Sequence, residues 1–183
     1  MKVPASVAGR ESLRLFCALR LPDDVLDAVC AWQDEHVRGG RAVTRNNLHV
    51  TLAFLGHRPA VELESIAAAT RDAAVRARPI RLEPLRYRET RSVGMLVFAD
   101  EAGAATALAQ DLHGRLEGLG VYEREQRQWL PHLTVVRFRE RPRLRPPVPD
   151  LAAFTPSDAA VYLSRLRSSG AQYEVVQSFA LGG

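Results

Sequence analysis

One short pattern occurs twice in this chain, and it constrains the fold more than any other feature of the sequence. His49-Val50-Thr51-Leu52 and His132-Leu133-Thr134-Val135 both sit in strand-like apolar runs, 83 positions apart in a chain of 183 residues. With seven threonines available, two of five histidines gaining a threonine two residues on is a coincidence of about 1–2%. A repeat at nearly half the chain length points to two lobes that each supply one copy, although little else between the copies is self-similar.

On a strand, residues i and i+2 leave the same face of the sheet. Each histidine is therefore expected to point with its threonine, while Val50, Leu52 and Phe54 of the first copy fill the opposite face against helices. Two such strands across a cleft would present two imidazoles and two hydroxyls to one small anion. Imidazole, with an unperturbed pKa of about 6.5, offers both protonation states near neutrality. One ring can take a proton from an attacking water or hydroxyl while the other gives one to the leaving oxygen, and the hydroxyls can donate to non-bridging phosphate oxygens. A lone strand histidine beside a threonine is more often a satisfied core residue; the duplication favours phosphoryl chemistry. Arg137, five residues past His132, is a natural phosphate clamp. Its odd offset puts it on the wrong face of a regular strand, so it reaches a cleft only where the strand bulges, twists or ends, and is otherwise a surface charge.

The rest of the sequence sets the frame. A hydrophobic share of 46% and a charged share of 25% suit one globular domain, or two small fused lobes, over residues 1–183, with 1–11 a flexible start. The net charge is +4, and Lys2 is the only lysine. GC-rich codon usage can produce such a skew, but the arginines still offer forks that bind phosphate bidentately and stack on bases. Cys17 and Cys30 form no CxxC pair and suggest no disulfide framework. No apolar run is long enough to span a bilayer and the N-terminus has no signal-peptide core, so a cytoplasmic protein is expected. Nothing resembles HExxH, a Cys/His zinc pattern, a DxD cluster or GxGxxG, so neither metal nor cofactor is expected.

Strands are predicted at Leu13–Leu21, Leu48–Leu55 closed by Gly56, Ile80–Arg88, Val93–Ala99 and Trp129–Phe138. A hairpin, Ala159–Leu166 with Ala171–Leu181, closes the chain around Ser168-Ser169-Gly170. Helices are predicted after Pro22, carrying Val25, Leu26, Val29 and Trp32, then over about Pro59–Arg76 and Glu101–Leu119. The pattern is α+β, with antiparallel sheets and helices packed outside them. Arg139–Pro149, with four prolines and four arginines, reads as an extended surface loop. The five arginines of Arg137–Arg145 either steer RNA backbone into a groove or simply decorate a solvated loop. His36, His57 and His113 lack threonine partners and read as solvated; Phe16 and Tyr173 are either core aromatics or base-stacking rings.

LRLFCALRLP, NLHVTLAFLG, PHLTVVRF and VYLSRLRSSGAQYEVVQSFAL together resemble the 2H phosphoesterases, and more closely the RNA 2',3'-cyclic phosphodiesterases, called 2'-5' RNA ligases in older usage. The resemblance runs from Leu13 to the C-terminus. It implies a bilobal fold, two antiparallel sheets related by pseudo-twofold symmetry and lining a central groove. It also implies metal-independent hydrolysis of an RNA or nucleoside 2',3'-cyclic phosphate to a 2'-phosphomonoester. By motif, His49 is the proton donor, His132 the proton acceptor, Thr51 and Thr134 hold the phosphate, and Arg137 matches the arginine after the second motif. Val135-Val136 departs from the more usual Leu-Ala or Leu-Leu. The reverse reaction, joining RNA ends through a 2'-5' bond, is a possible additional activity. The competing reading is a non-catalytic nucleotide- or RNA-binding module that keeps the pocket, against which both intact histidines count. RNA or a nucleotide is the expected partner, and a monomer the expected state.

Overall fold

The computed structural model describes residues 11–168 and 170–182. Of the segment 1–11 expected to be flexible, only Glu11 lies within the described residues, and its carbonyl accepts from the Ala60 N–H at 2.9 Å. The elements follow in the order β1 (Ser12–Arg20), α1 (Asp23–His36), β2 (Arg41–Ala42), β3 (Val50–Pro59), α2 (Leu63–Val75), β4 (Glu83–Glu89), β5 (Val93–Ala99), α3 (Ala104–Gly118), β6 (His132–Arg137), β7 (Asp158–Arg167) and β8 (Gly170–Phe179). This is the predicted α+β class with antiparallel pairing throughout.

Where two sheets were expected, the hydrogen bonds form one curled sheet in the order β4-β5-β6-β3-β1-β7-β8, with β2 also pairing to β6. Its narrowest point lies between the two motif strands, where β3 and β6 share the single pair Val50 and Leu133. Four strands stand on either side of that joint.

Burial explains the register. Leu15, Cys17 and Leu19 of β1, Leu52 of β3, Leu96 and Phe98 of β5 and Leu133 of β6 point into one core. There they meet Val29 and Trp32 of α1, Ile66 and Ala73 of α2, and Leu108, Leu112 and Leu116 of α3. Each fully buried leucine or isoleucine contributes about 1.5–3 kcal/mol over exposure, so a one-residue slip of any strand would forfeit several such terms. The other face of β1 and β7 carries a small separate cluster, Phe16, Ala18, Ala160 and Tyr162, with Tyr173 of β8 against it.

Three expectations change. Gly56 does not end β3; it takes a left-handed φ of 68° and the strand runs on to Pro59, with Leu55 left unpaired opposite β1. Trp129 and Pro131 precede β6 rather than join it, and the Trp129 indole N–H donates to the Thr51 carbonyl at 3.0 Å. His113 is buried in α3, not solvated, and its Nε2–H donates to the Leu52 carbonyl at 2.7 Å. Among the described residues no helix is long and apolar enough to cross a membrane.

Candidate active site

The Val50–Leu133 pair centres an antiparallel contact, so His49 comes beside Thr134 and His132 beside Thr51. Both apolar centres are buried toward the helices, which turns all four polar side chains to the other face. The two histidines are held alike. His49 Nδ1–H donates to the Asn47 carbonyl and His132 Nδ1–H to the Leu130 carbonyl, each at 2.8 Å and each two residues upstream. A carbonyl can only accept, so in both rings the proton sits on Nδ1 and the working atom is Nε2. His49 Nε2 lies 3.1 Å from Thr51 Oγ1.

Arg137 reaches the same face by the route its parity requires. Across β5 and β6 the partners are Val97 with His132, Met95 with Thr134, Gly94 with Val136 and Val93 with Arg137, leaving Val135 as an extra residue. This bulge shifts the alternation by one, so Arg137 joins His132 and Thr134. The Val135 carbonyl is taken by Gln33 Nε2 of α1 at 2.7 Å and by the Val43 N–H at 2.9 Å. The first motif strand repeats the device: opposite β1, Ala53 pairs with Cys17 and Thr51 with Ala18, leaving Leu52 extra. Phe54 was expected in the core; the bulge returns it to the Thr51 face, half exposed, with the Arg14 guanidinium 4.7 Å from its ring centre.

A cleft of about 550 Å³ opens on this face, and His49, Thr51, Thr134 and Arg137 line it. His132 does not line that volume, although it stands on the same face and close enough for its charge to act on His49. The His49 ring lies 4.8 Å from that of Phe16, 5.6 Å from Tyr162 and 5.3 Å, edge-on, from Tyr173. Burial among these rings pushes its pKa down to about 4; the Asn47 carbonyl opposes the shift, while Arg137 and His132 add to it. Phe16 and Tyr173 both line the cleft, Phe16 almost fully buried and Tyr173 part-exposed. Sequence reasoning missed Arg14, Arg41 and Asn47, all of which line the cleft. Asn47 also ties the site to β8, through its side-chain amide to the Ala171 carbonyl at 2.9 Å. His36 and His57 stand outside the cleft-lining set. Among the described residues no three His, Cys, Asp or Glu side chains gather as a metal site would need.

One face of the sheet thus carries two imidazole–hydroxyl pairs and an arginine, titratable groups and positive charge side by side. The chain belongs to the 2'-5' RNA ligase superfamily, which residues 21–170 match. It is 32% identical over 182 residues to the RNA 2',3'-cyclic phosphodiesterase of Thermus thermophilus, covering 93% of this chain and 91% of the relative. To the protein of the same name from Methanocaldococcus jannaschii it is 22% identical over 177 residues, covering 91% and 100%. In fold it is similar to crystal structures of E. coli LigT. The apo form gives a TM-score of 0.81 at 24% identity over 94% of this chain and 99% of that one. The complex with 3'-AMP gives 0.80 at 24% identity over 94% and 100%.

Proposed function

We propose that the protein hydrolyses RNA or nucleoside 2',3'-cyclic phosphates to 2'-phosphomonoesters, with His49 and His132 as its acid and base. Its curated relatives are named for RNA 2',3'-cyclic phosphodiesterase activity and, like them, the chain is a phosphodiesterase. The observation that carries the finer reading is the twin motif, two histidines with Nδ1 tied to a carbonyl and Nε2 left for chemistry on one face. The two four-strand halves are read as two lobes of one domain, related by a pseudo-twofold axis near the Val50–Leu133 pair and each giving one motif.

Water attacks the cyclic phosphorus in line with the 3'-oxygen. His132 Nε2 accepts the water's proton as the new P–O bond forms, and His49 Nε2–H protonates the 3'-oxygen as the P–O3' bond breaks. The product keeps its phosphate on the 2'-oxygen. Thr51, Thr134 and Arg137 bind the non-bridging oxygens, the arginine compensating charge on the phosphoryl group. The assignment of donor and acceptor follows the family resemblance. His49 must then carry a proton that burial, and to a lesser degree Arg137 and His132, disfavour; the negative charge of a bound phosphate beside the ring favours that proton and works against all three. Each group comes from the protein itself, so the reaction needs no metal. With the 5'-hydroxyl of a second RNA in place of water, the same steps open the cyclic phosphate, His132 taking the hydroxyl proton and His49 protonating the departing 3'-oxygen, and leave a 2'-5' phosphodiester.

The test is incubation with RNA ending in a 2',3'-cyclic phosphate, in EDTA, followed by identification of the product isomer. A 2'-phosphate is expected; binding without turnover would favour the non-catalytic module, and a 3'-phosphate would refute the in-line departure of the 3'-oxygen.

A further inference from the structure

β6 leaves the cleft at Arg137 and the chain continues to Pro149 without regular secondary structure. From Arg137 to Arg145 every odd position is arginine and Glu140 is the sole acid, so these residues carry the same net charge, +4, as the entire chain. All five arginines are exposed, whereas Phe138 is buried and Pro142 and Leu144 are partly so. One row packs down and the other faces out.

Such a segment is ordinarily loose, but here Glu89 at the end of β4 pins it. Its carboxylate side chain, only 2% exposed, accepts from Arg141 Nε at 3.1 Å, the Arg143 N–H at 3.0 Å and the Leu144 N–H at 2.8 Å. The Tyr87 hydroxyl adds a fourth bond at 3.1 Å. Burial works to raise the Glu89 pKa, but the bonds from Leu144, Arg141, Tyr87 and Arg143 outweigh it and hold the group ionised. Arg143 is kept at φ 58°, a left-handed conformation that a residue with a Cβ adopts at a cost. Further along, the Trp32 indole donates to the Pro147 carbonyl at 2.9 Å. The buried carboxylate and the Trp32 contact hold this row in place and offset the cost at Arg143.

Arg141 is paired with Glu89, but the other four charges of the row are unmet among the described residues. Among the described residues Arg137, Arg139, Arg143 and Arg145 make no ion pair, whereas Arg20, Arg45, Arg58, Arg115 and Arg124 all have carboxylate partners. At the cleft, Arg41 of β2 stands directly opposite Arg137 in antiparallel register.

We propose that this row is a track for the phosphate backbone of single-stranded RNA, leading away from the cleft, so that the enzyme acts on RNA chains in preference to free cyclic mononucleotides. The inference rests on the cyclic-phosphate reading above. Arg137 attends the reacting phosphate, and Arg139, Arg143 and Arg145 meet the phosphates that precede it. Arginine suits the task because its fork holds a phosphate bidentately.

The experiment measures binding of a short labelled single-stranded RNA ending in a 2'-phosphate, as a function of salt, together with KM for a 2',3'-cyclic mononucleotide. Arg143→Ala with Arg145→Ala should weaken RNA binding roughly 3–10-fold and reduce the slope of log affinity against log salt by about 1.4, with the mononucleotide KM held. Glu89→Gln separates a built track from simple attraction. It adds positive charge yet releases the loop, so a track predicts weaker RNA binding and attraction alone predicts tighter. Unchanged RNA affinity in the double variant, an equal loss on the mononucleotide, or tighter binding by Glu89→Gln would overturn the proposal. If the wild-type protein turns over no cyclic phosphate yet RNA binding falls as expected, the catalytic reading fails and the track stands.

Discussion

Five residues past its motif histidine, β3 carries Phe54 and β6 carries Arg137. Three residues past it, each strand has its extra residue, Leu52 in one and Val135 in the other. Each of those carbonyls is capped at 2.7 Å by a buried polar side chain from a helix, His113 of α3 for Leu52 and Gln33 of α1 for Val135. The two halves thus share a backbone device, a capped bulge that swings the fifth residue onto the cleft face, and differ in what they deliver with it. One presents an aromatic ring under Arg14, the other an arginine that lines the cleft. The histidines diverge in the same way. They share a tether through Nδ1, but His49 lies among Phe16, Tyr162 and Tyr173, which strip it of water and of its proton affinity. The two motif strands hold their histidines alike, and the neighbours on each side make them unequal.

The largest effect separates the two histidines by role. His49→Ala and His132→Ala should each cost about two to four orders of magnitude in turnover of a 2',3'-cyclic nucleotide, with the double variant losing less than the product of the two. On a substrate whose leaving group is far better than the ribose 3'-oxygen, little protonation is needed, so His49→Ala should be largely rescued and His132→Ala should not. Rescue of His132→Ala alone would exchange the roles, and equal rescue would erase the difference between the strands.

A smaller effect tests what makes them unequal. Followed by NMR, the His49 ring should titrate near its depressed value of about 4 in phosphate-free buffer and move upward when inorganic phosphate is added, since anion and proton favour one another's binding. The sign for stability follows. The native state holds His49 neutral where the unfolded chain would protonate it, so the stability it contributes is full above about pH 6.5 and is lost as pH falls toward 4. A ring that titrates at its ordinary value, or ignores phosphate, breaks the linkage.

The smallest effect probes the bulges. Gln33→Leu removes the donor to the Val135 and Val43 carbonyls and should cost about 1–3 kcal/mol in urea unfolding. It should also weaken phosphate binding, because the Val135 bulge aims Arg137. His113→Leu should destabilise comparably yet leave phosphate affinity unchanged, since its bulge aims a phenylalanine. Equal loss of phosphate affinity in both would show that the two devices are not independent.

The elements and the motif pair were legible in the sequence because hydrophobic alternation and turn residues are local. The bulges were not, and the error over Phe54 follows from that: LHVTLAFL reads as unbroken alternation, with no glycine or proline at Leu52 to mark the extra residue. What fixes each bulge comes from far away, 61 positions for His113 and 102 for Gln33. A weak signal existed. Gln33 is four residues past Val29, and His113 is four past Ala109 and three before Leu116, so both are polar residues on buried helical stripes. Such a residue needs a partner, but only the fold says which. The loop after Arg137 was likewise recognised, while its anchor at Glu89 lies more than 50 positions upstream and left no trace in the local pattern.

The joint between the halves has a last consequence. With one rung connecting β3 to β6, no neighbouring rungs corroborate their alignment; it depends on Val50 and Leu133 being packed to about 1% exposure or less on the far side. Aliphatic bulk therefore acts as the ruler for the imidazoles. Neutral drift among core residues, which elsewhere changes only how tightly a protein is held together, here resets the separation of the two imidazoles.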